Sequence, residues 1–472
     1  MDDTILVLSF SERTAPDLAR RIRGERVFSM ILPGSTTAEQ IAALSPKGII
    51  LSGEESGGGV LDAGILSLDV PVLAVGHAAH MMLTALGGAC AGTAILHRRT
   101  DVHYEDSRLF AGVEDGERYI RETQTLMLPA NLRMTASGGG CTIAYEDEER
   151  GRFGIQFEPE RNDPAWSAIL ENFLFGICGC EPWYTIEAAV ARSMEMLESR
   201  AAEGKRAILA ASGGLDSTVA AEMARRAFGD RVRAVFVDTG LLRAGEAEVV
   251  RDAYAAMGME LSVIDRTDCV MEALAGLRTA GEKKRAFRAC LTQALRESEE
   301  STDTCLILGT DYNDRLYNRQ SPPETEEACI EEPLAGCFRS EILLMAEMLG
   351  IPESVRDRKP FPPLGYGLLA LGEIRPDKIA ILRGIDSIFR EELRTAGLMP
   401  KLDDYYPMLS EQGAFGGGRQ VLLAAHTRSG GKMMPARLPY DVVERTVSRI
   451  LETYPTVTRV MLDETPAMRS AL

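Results

Sequence analysis

The sequence lacks the string that marks the most common phosphate-binding loop. A glycine, four variable residues, a second glycine and then Lys-Ser or Lys-Thr occur together nowhere in its 472 residues. Basic residues are also in deficit, with 52 lysines and arginines against 70 aspartates and glutamates and a formal net charge of -18 at pH 7. Binding to a nucleic-acid backbone needs clustered positive charge, so the composition argues against a nucleic-acid partner.

Disulfide frameworks, zinc-ligand spacing and membrane segments are missing as well. The nine cysteines are odd in number and scattered, and the close pair Cys178 and Cys180 is typical of small buried side chains. No apolar run is long enough to span a bilayer, and the acidic start Met1–Thr4 leads into a strand pattern rather than a signal peptide. These absences favour a cytoplasmic protein without a membrane partner, in a reducing compartment.

A glycine loop between a predicted strand and a predicted helix is the strongest motif present. The apolar run Ala207–Ala211 is followed by Ser-Gly-Gly-Leu-Asp-Ser at Ser212–Ser217, here called the glycine loop, and then by a helical pattern. Glycines let backbone amides approach an anion, and a helix N-terminus favours negative charge, so the loop is predicted to cradle the pyrophosphate part of ATP. Asp216 is predicted to hold Mg²⁺. For Gly-Gly alone, an ordinary turn is the alternative.

A second predicted strand ends close to this loop. Val232–Val237 is an apolar run that ends in Asp238-Thr239-Gly240. Doubly wound sheets hold ligands at the carboxyl ends of their strands, so Asp238 is expected to face the same crevice as Ser212. The Ser-Gly-Gly-x-Asp-Ser string resembles the loop of N-type ATP pyrophosphatases. That resemblance implies an enzyme that cleaves ATP between its α and β phosphates and transfers AMP to a carbonyl-type oxygen.

Three segments with different patterns follow one another, as the length of the chain predicts. Residues 1–183 alternate short apolar strands with helices, which is typical of an α/β domain. Residues 184–371 contain the glycine loop and read as a doubly wound α/β domain, and residues 372–472 read as a small α+β unit. The strands expected are Ile5–Phe10, Gly48–Leu51, Val70–Val75, Val232–Val237, Gln420–His426 and Thr458–Asp463, and the helices are Pro16–Ile22, Ala38–Ala43, Ile186–Arg200, Ile379–Thr395 and Tyr440–Thr453.

Motifs along nearly the whole chain resemble one enzyme family. They are Asn172–Phe175 with Ile177–Cys180, Phe236–Arg243, Gly309-Thr310, Pro360–Pro362 and Arg437–Tyr440. Together they resemble GMP synthetase, also called GMP synthase, which aminates XMP with ATP and with ammonia drawn from glutamine. The likeness implies a class I glutamine amidotransferase-like domain at 1–183, an ATP pyrophosphatase domain at 184–371 and a dimerisation domain at 372–472. It also implies ATP and Mg²⁺ as cofactors, and a homodimer.

The first segment departs from the family wherever glutaminase chemistry needs a side chain. The family has a cysteine nucleophile after a buried strand, and here Val72–Val75 is followed by Gly76. Glu158 replaces the histidine of the family's His-x-Glu pair, so that only the orienting Glu160 is retained. The oxyanion loop carries two added carboxylates in Leu51–Glu55, which repel the charge that such a loop stabilises. The sequence therefore predicts no glutaminase activity. His77 and His80 beside the vacant position are interpreted as polar residues of a surface turn.

The likeness also assigns roles in the other two segments. Arg339 stands where the family has a lysine that reaches the ATP phosphates, and arginine keeps the charge. Arg243, Arg419 and Arg437 are expected to bind the acceptor nucleotide, although a plain surface arginine at 243 and a plain flexible loop before 419 are alternatives. The residues expected to bind ATP are Ser212, Gly213, Gly214, Leu215, Asp216, Ser217, Val237, Asp238 and Gly309, with Asp216 and Arg339 catalytic and Asp216 the Mg²⁺ ligand.

The acceptor site is less like the family. The residues after Asp463 contain no Lys-Pro-Pro, the segment with which the family closes over its nucleotide. Losing one charge-assisted phosphate contact costs about 1.5–3 kcal/mol, so weak binding of XMP or a different purine is expected. The leading hypothesis is amination of XMP or a close analogue with ammonia. The alternatives are an adenylating transferase with another acceptor or nucleophile, such as a sulfur donor, and a non-catalytic regulatory paralogue.

Overall fold

The chain forms two compact units, Met1–Ala188 and Ala189–Leu472. The computed structural model describes residues 3–11, 14–53, 59–157, 163–298, 303–312, 329–359, 361–362, 364–411, 418–429 and 432–465. Segments 184–371 and 372–472, expected as separate domains, both fall almost wholly within the second unit. The boundaries expected at 183/184 and 371/372 remain predictions.

The first unit is built on a mixed sheet. Its strands are β1 (Thr4–Ser9), β2 (Phe28–Pro33), β3 (Gly48–Gly53), β4 (Val72–Gly76), β5 (Ala89–Tyr104), β6 (Gly116–Met127), β7 (Arg133–Gly138), β8 (Cys141–Asp147) and β9 (Arg152–Ile155). Its helices are α1 (Ala15–Gly24), α2 (Ala38–Leu44), α3 (His77–Ala85) and α4 (Pro164–Glu171), with a 3-10 turn at Ala63–Ser67 and a π-helical turn at Asn172–Ile177. Within the described residues, these strands form one sheet in the order β2-β1-β3-β4-β9-β8-β7-β5-β6.

The parallel half of this sheet carries the core of the first unit. Strands β2, β1, β3, β4 and β9 pair in parallel, whereas β8, β7, β5 and β6 pair antiparallel. Ile5–Leu8 and Gly48–Gly53 are buried along their whole length, because helices cover both faces of parallel strands. The predicted α/β character is confirmed.

The second unit contains a five-stranded parallel sheet among its described residues. Its strands are β10 (Arg206–Ala211), β11 (Val232–Asp238), β12 (Leu261–Asp265), β13 (Thr304–Ile307) and β14 (Cys329–Glu331). The strand order is β12-β11-β10-β13-β14, with all neighbours parallel. Strands β11 and β12 are added on one side of β10, and β13 and β14 on the other. A change of side of this kind opens a crevice at the carboxyl ends of β10 and β13, where doubly wound folds bind ligands. The glycine loop leaves β10 at this point.

Helices flank the parallel sheet and link it to a second, smaller sheet. They are α5 (Ile186–Ala202), which contains the point of division between the units, α6 (Leu215–Phe228), α7 (Glu246–Ala256), α8 (Thr267–Leu274), α9 (Ala280–Glu297) and α10 (Arg339–Leu349), with helical turns at Gly229–Arg231, Glu353–Arg356 and Tyr366–Leu369. The last part of the chain forms α11 (Pro376–Thr395), a turn at Met399–Lys401, β15 (Asp404–Ser410), β16 (Arg419–Ser429), β17 (Lys432–Pro435), α12 (Tyr440–Thr453) and β18 (Val457–Asp463).

The small sheet is mixed and shares its core with the larger domain. Strand β16 pairs antiparallel with β15 and β17 and parallel with β18. One buried apolar cluster joins Leu241, Val270 and Phe287 with residues of α11 and of the small sheet, such as Leu382 and Leu423. The predicted α+β unit is therefore present and packs directly on the parallel-sheet domain. Among the described helices, none combines the length and apolar character that a bilayer crossing requires.

One cysteine pair was not anticipated from the sequence. Cys305 on β13 and Cys329 on β14 are direct partners in the parallel register and form a disulfide. The other seven cysteines are free thiols. The two residues are separated by 24 positions, and nothing in that spacing indicated that their strands are neighbours.

Candidate active site

The glycine loop has a backbone shape that requires glycine at its second position. Gly213 adopts a φ of 71°, which L side chains rarely adopt. A Cβ atom there would lie 2.3 Å from Val250 Cγ2 and 2.6 Å from Arg358 Nη1. The loop therefore turns tightly between the end of β10 and the start of α6, with no room for a side chain on its outer side.

The polar groups of the loop are directed toward one another. The Gly214 N–H donates to Ser212 Oγ at 3.3 Å, and the hydroxyl oxygens of Ser212 and Ser217 are 2.9 Å apart. The Ser212 N–H donates to Ser217 Oγ at 3.3 Å. Two amides and two hydroxyls thus converge at the N-terminus of α6, where the helix dipole favours an anion. A phosphate oxygen can take the place of these long internal hydrogen bonds.

Asp216, a residue of the loop, lies close to the guanidinium of Arg339 and to a second carboxylate, that of Asp311. Arg339, the first residue of α10, donates from Nη1 to Asp216 Oδ1 at 2.6 Å. Burial raises the pKa of the Asp216 carboxyl to about 6, Arg339 opposes that shift, and the charge of Asp311 adds to it. Asp311 is itself buried. Asp216 and Arg339, which the sequence placed in one site, are therefore in contact, whereas Asp311 was missed by sequence reasoning although it follows Gly309-Thr310.

This pKa predicts how the stability of the metal-free protein changes with pH when Asp216 is replaced by asparagine. A carboxyl with a pKa of about 6 in the folded chain and 3.8 as its ordinary value favours folding below pH 3.8, and this contribution is lost as the pH rises through 6. Asp216→Asn should therefore gain on the order of 1–3 kcal/mol of stability over the parent at pH 7.5, and less at pH 4. Urea unfolding in chelator tests this. A variant that is no more stable than the parent at pH 7.5 contradicts it.

Gly309 brings the end of β13 against the first turn of α6. A Cβ atom at Gly309 would lie 2.5 Å from both the backbone N and the Cα of Ser217 and 2.8 Å from the carbonyl carbon of Asp216. All three are backbone atoms that no side-chain rotation can move aside. The absence of a side chain at this position therefore sets the spacing between β13 and the glycine loop.

The end of β11 lies level with the loop on the other side of β10. Ala211 is the register partner of Phe236, so Ser212 continues β10 at the height of Val237. Asp238 ends the strand, and its Oδ1 accepts a hydrogen bond from the Gly240 N–H at 3.0 Å. The carboxyl ends of β10 and β11 thus carry the predicted ATP-binding residues along one edge of the sheet, with Leu215 buried as the first residue of α6.

The three arginines expected at the acceptor site have different surroundings. The side chain of Arg243 is 10% exposed and makes a bidentate ion pair with Asp386, with Nε 3.0 Å from Oδ2 and Nη2 3.3 Å from Oδ1. Its guanidinium lies 4.1 Å from the centroid of the Phe361 ring. Arg419 pairs with Asp377 and Glu411, whereas Arg437 is exposed. The first two therefore already have carboxylate partners within the protein. Their binding of an acceptor remains a prediction.

Gly76, the position at which the family resemblance expects a nucleophile, lies at the junction of a strand and a helix in the first unit. Gly76 has φ 65° and ψ -134° between β4 and α3, a backbone conformation that glycine adopts readily and L side chains rarely do. The sequence predicts His80 on a surface turn, and this prediction is wrong. His80 is buried in α3 with Nε2 2.6 Å from Oε1 of Gln156, because the amide of Gln156 ties this helix to the sheet. Glu54, Glu55, Glu158 and Glu160 lie outside the described residues.

Comparison with known proteins decides the family. A family model described as NAD synthase matches residues 187–369, the range that holds the glycine loop, Asp311 and Arg339. A GMP synthase from Corynebacterium glutamicum is 33% identical over 504 aligned residues, covering 98% of this chain and 96% of that protein. The chain belongs to the GMP synthase family.

Other GMP synthases give the same result. The glutamine-hydrolyzing GMP synthase of Listeria innocua is 31% identical over 502 residues, again with 98% of this chain covered. The resemblance drawn from the sequence motifs is therefore confirmed at the level of the family. Among solved structures, the NMN synthetase of Francisella tularensis aligns with 39% of this chain and 78% of its own at 16% identity, with a TM-score of 0.34.

Proposed function

We propose that this GMP synthase family member is an ATP-dependent ligase that aminates XMP or a close purine analogue with ammonia and releases AMP and pyrophosphate. The observation that carries the proposal is the position of the glycine loop between β10 and β13, where the strand order changes side. Asp216 of this loop is in contact with Arg339. Membership of the family over 98% of the chain supports the acceptor class.

The first step activates a purine carbonyl oxygen that is a poor leaving group. The oxygen attacks the α-phosphorus of ATP, a P–O bond forms to AMP, and the bond to the β-phosphate breaks with release of pyrophosphate. The Gly214 amide, the hydroxyls of Ser212 and Ser217 and the N-terminus of α6 would stabilise the charge on the departing pyrophosphate. Arg339 would add positive charge on the same side.

Mg²⁺ fits the donor chemistry of this site. Asp216 and Asp311 offer hard carboxylate oxygens, and Asp216 is held by a cation already. Among the described residues, no group of three or more His, Cys, Asp or Glu could hold a metal ion. Mg²⁺ commonly binds through one or two carboxylates together with the substrate phosphates, and Asp216 and Asp311 would be those carboxylates. When bound, Mg²⁺ would neutralise charge on the polyphosphate.

In the second step ammonia replaces the activated oxygen. Neutral ammonia adds to the carbon that bears the adenylylated oxygen, the C–O bond breaks, AMP leaves, and one proton is lost from nitrogen to give the amino purine. Water has to be kept from the activated carbon until ammonia arrives. The buried ion pair of Arg243 with Asp386 would help by holding α11 against the loop that follows β11.

The ammonia is proposed to come from solution or from another protein. Gly76 has no side chain with which to attack a glutamine amide. It occupies the strand-to-helix turn at which the family resemblance expects the nucleophile. We also propose that the enzyme acts in the cytoplasm as a homodimer.

The nitrogen source gives the decisive test of this function. With Mg-ATP and XMP, ammonium chloride should support release of pyrophosphate and formation of GMP, whereas glutamine alone should give neither above the rate without a nitrogen donor. Pyrophosphate and nucleotides are measured separately, and Asp216→Asn is the control for a contaminating synthase. Equal rates with glutamine and ammonium would contradict the loss of glutaminase activity.

A second candidate function is the adenylylation of an acceptor other than XMP. The carboxylate partners of Arg243 and Arg419 already neutralise these two arginines, so neither has a free charge for a nucleotide phosphate. Pyrophosphate release across a panel of purine nucleotides, nucleosides and sulfur donors separates the two candidates. Release with another acceptor and none with XMP would favour the second.

A further inference from the structure

We propose that Arg358 is a positioning residue that fixes the orientation of the Gly213–Gly214 peptide and thereby aims the Gly214 N–H at bound polyphosphate. The inference rests on the proposed function only in that it takes the glycine loop to be the phosphate site. Arg358 carries no signal in the sequence, since it lies between a helical turn and a proline-rich segment.

Arg358 is held by contacts on two sides. Its Nη1 donates to the carbonyl oxygen of Gly213 at 2.7 Å, and its Nη2 pairs with Glu246, the first residue of α7. The side chains of Arg358 and Glu246 are only 25% and 16% exposed. The planar guanidinium therefore joins α7 to the loop through two donors in fixed directions.

The contact with the Gly213 carbonyl determines where the next amide points. In a trans peptide the C=O and N–H groups point in opposite directions, and the described residues include no cis peptide. With the Gly213 carbonyl turned outward to Arg358, the Gly214 N–H points inward, where Ser212 Oγ now accepts it. If the peptide were rotated by half a turn, the carbonyl oxygen would face the phosphates and repel them.

A hydrogen bond from another residue is needed because two glycines do not fix the orientation of the peptide between them. Gly213 and Gly214 have no side chains, so the rotation between them costs little. Val250 packs against the outer face of Gly213 but offers no hydrogen bond. The hydrogen bond from the Gly214 N–H to Ser212 Oγ favours the same orientation, but it is long at 3.3 Å and would be given up to a bound phosphate. The shorter bond from Arg358 to the Gly213 carbonyl would remain when the ligand is bound.

The second unit offers a matched control. Arg226 on α6 also joins a carboxylate to a backbone carbonyl, with Nε 2.7 Å from Glu222 and Nη2 2.9 Å from the Leu349 oxygen. Its contacts lie at the C-terminal part of α6 and do not involve the loop. Replacing Arg226 therefore removes the same kinds of bond and leaves the Gly213–Gly214 peptide unaffected.

The experiment compares Arg358→Met, Arg358→Lys and Arg226→Met in the full chain. The probe is Mg-pyrophosphate, whose affinity is measured by calorimetry without acceptor or ammonia. Arg358→Met should weaken its binding by about tenfold or more, because a directed amide donor is lost. Arg358→Lys should recover part of that loss, since an ammonium can donate to Gly213 but cannot hold Glu246 in the same geometry. Arg226→Met should bind within about twofold of the parent.

Steady-state kinetics add a readout that a merely structural role would not move. In the ammonium reaction, Arg358→Met should raise the KM for ATP while the KM values for acceptor and ammonium stay near those of the parent. If Arg358→Met does not fold, Glu246→Gln carries the same test, because it loosens Arg358 and leaves the guanidinium in place. Its expected loss of pyrophosphate affinity is smaller than tenfold, with the same selective rise in the KM for ATP.

The outcomes separate this inference from the proposed function. A parent chain that binds Mg-pyrophosphate but forms no GMP refutes the proposed function, and the affinities of the variants still decide the role of Arg358. Folded Arg358→Met, or Glu246→Gln in its place, with the affinity of the parent overturns the inference even if the parent forms GMP. A parent chain that does not bind Mg-pyrophosphate overturns both.

Discussion

Replacing Asp216 by asparagine should reduce pyrophosphate production by at least about 10²–10³-fold, the range found when one group that stabilises transition-state charge is removed. Asparagine has nearly the same shape and keeps an oxygen that can accept the hydrogen bond from Arg339. It lacks the negative charge that a Mg-ATP complex needs beside the loop. The loss should therefore appear in catalysis rather than in folding.

The measurement is pyrophosphate release at saturating ATP over a range of magnesium concentrations, with Glu222→Gln as the control. Glu222 is a buried carboxylate on the same helix, α6, and it accepts hydrogen bonds from Arg225 and Arg226 rather than facing the loop. Its glutamine variant should turn over at close to the parent rate, even if it melts earlier. Activity above about a tenth of the parent in Asp216→Asn would exclude a central role for this carboxylate.

The same substitution connects activity with stability. Burial raises the pKa of Asp216 to about 6, so the charged form is held at a cost in free energy of folding. Asparagine removes that cost at neutral pH, so a variant that is more stable and less active is expected. A trade-off of this kind is typical of a group placed for catalysis rather than for packing.

Local patterns were sufficient to predict the elements that carry the loop. Tyr440–Thr453 is a helix with the predicted bounds, and the strand predicted at Val232–Val237 ends one residue later, at Asp238. The glycine loop joins a strand to a helix as expected, since an apolar run, two glycines and a helical pattern follow one another directly in the sequence. In these cases the information lies within about ten neighbouring residues.

Contacts between distant parts of the chain were not predictable in this way. Asp311 reaches the loop because β13 lies beside β10, although about a hundred residues separate the two strands. Gly309 is assigned to the same site only through the family resemblance, not through a local pattern. Arg243 follows a strand that ends at the crevice, yet its partner Asp386 lies 143 residues away on α11. No local pattern shows which strands are adjacent or which carboxylate will neutralise a buried arginine. For the same reason Arg358 could not be singled out from the sequence.

The substitution Gly309→Ala tests the spacing between β13 and α6. The new Cβ would collide with the backbone of Ser217 at 2.5 Å, so either the strand or the first turn of the helix has to move. A displacement of about 1 Å in a catalytic group costs roughly 10²-fold in rate, and such overpacking costs about 1–3 kcal/mol of stability. We expect both losses, measured as kcat/KM for ATP and as the free energy of unfolding.

Gly281→Ala is the matched control for this experiment. Gly281 lies in the first turn of α9, where the nearest atom to a new Cβ is the flexible end of Arg285 at 3.7 Å. Alanine there should leave activity unchanged and add about 0.5–1 kcal/mol of stability. Because Gly309 has no side chain, its replacement removes no hydrogen bond and no charge. A loss of activity would then come from the space that the new methyl group takes up, either by moving Asp216 and Ser217 or by displacing bound ATP. A fully active Gly309→Ala would show that the spacing between β13 and these residues does not matter for the chemistry.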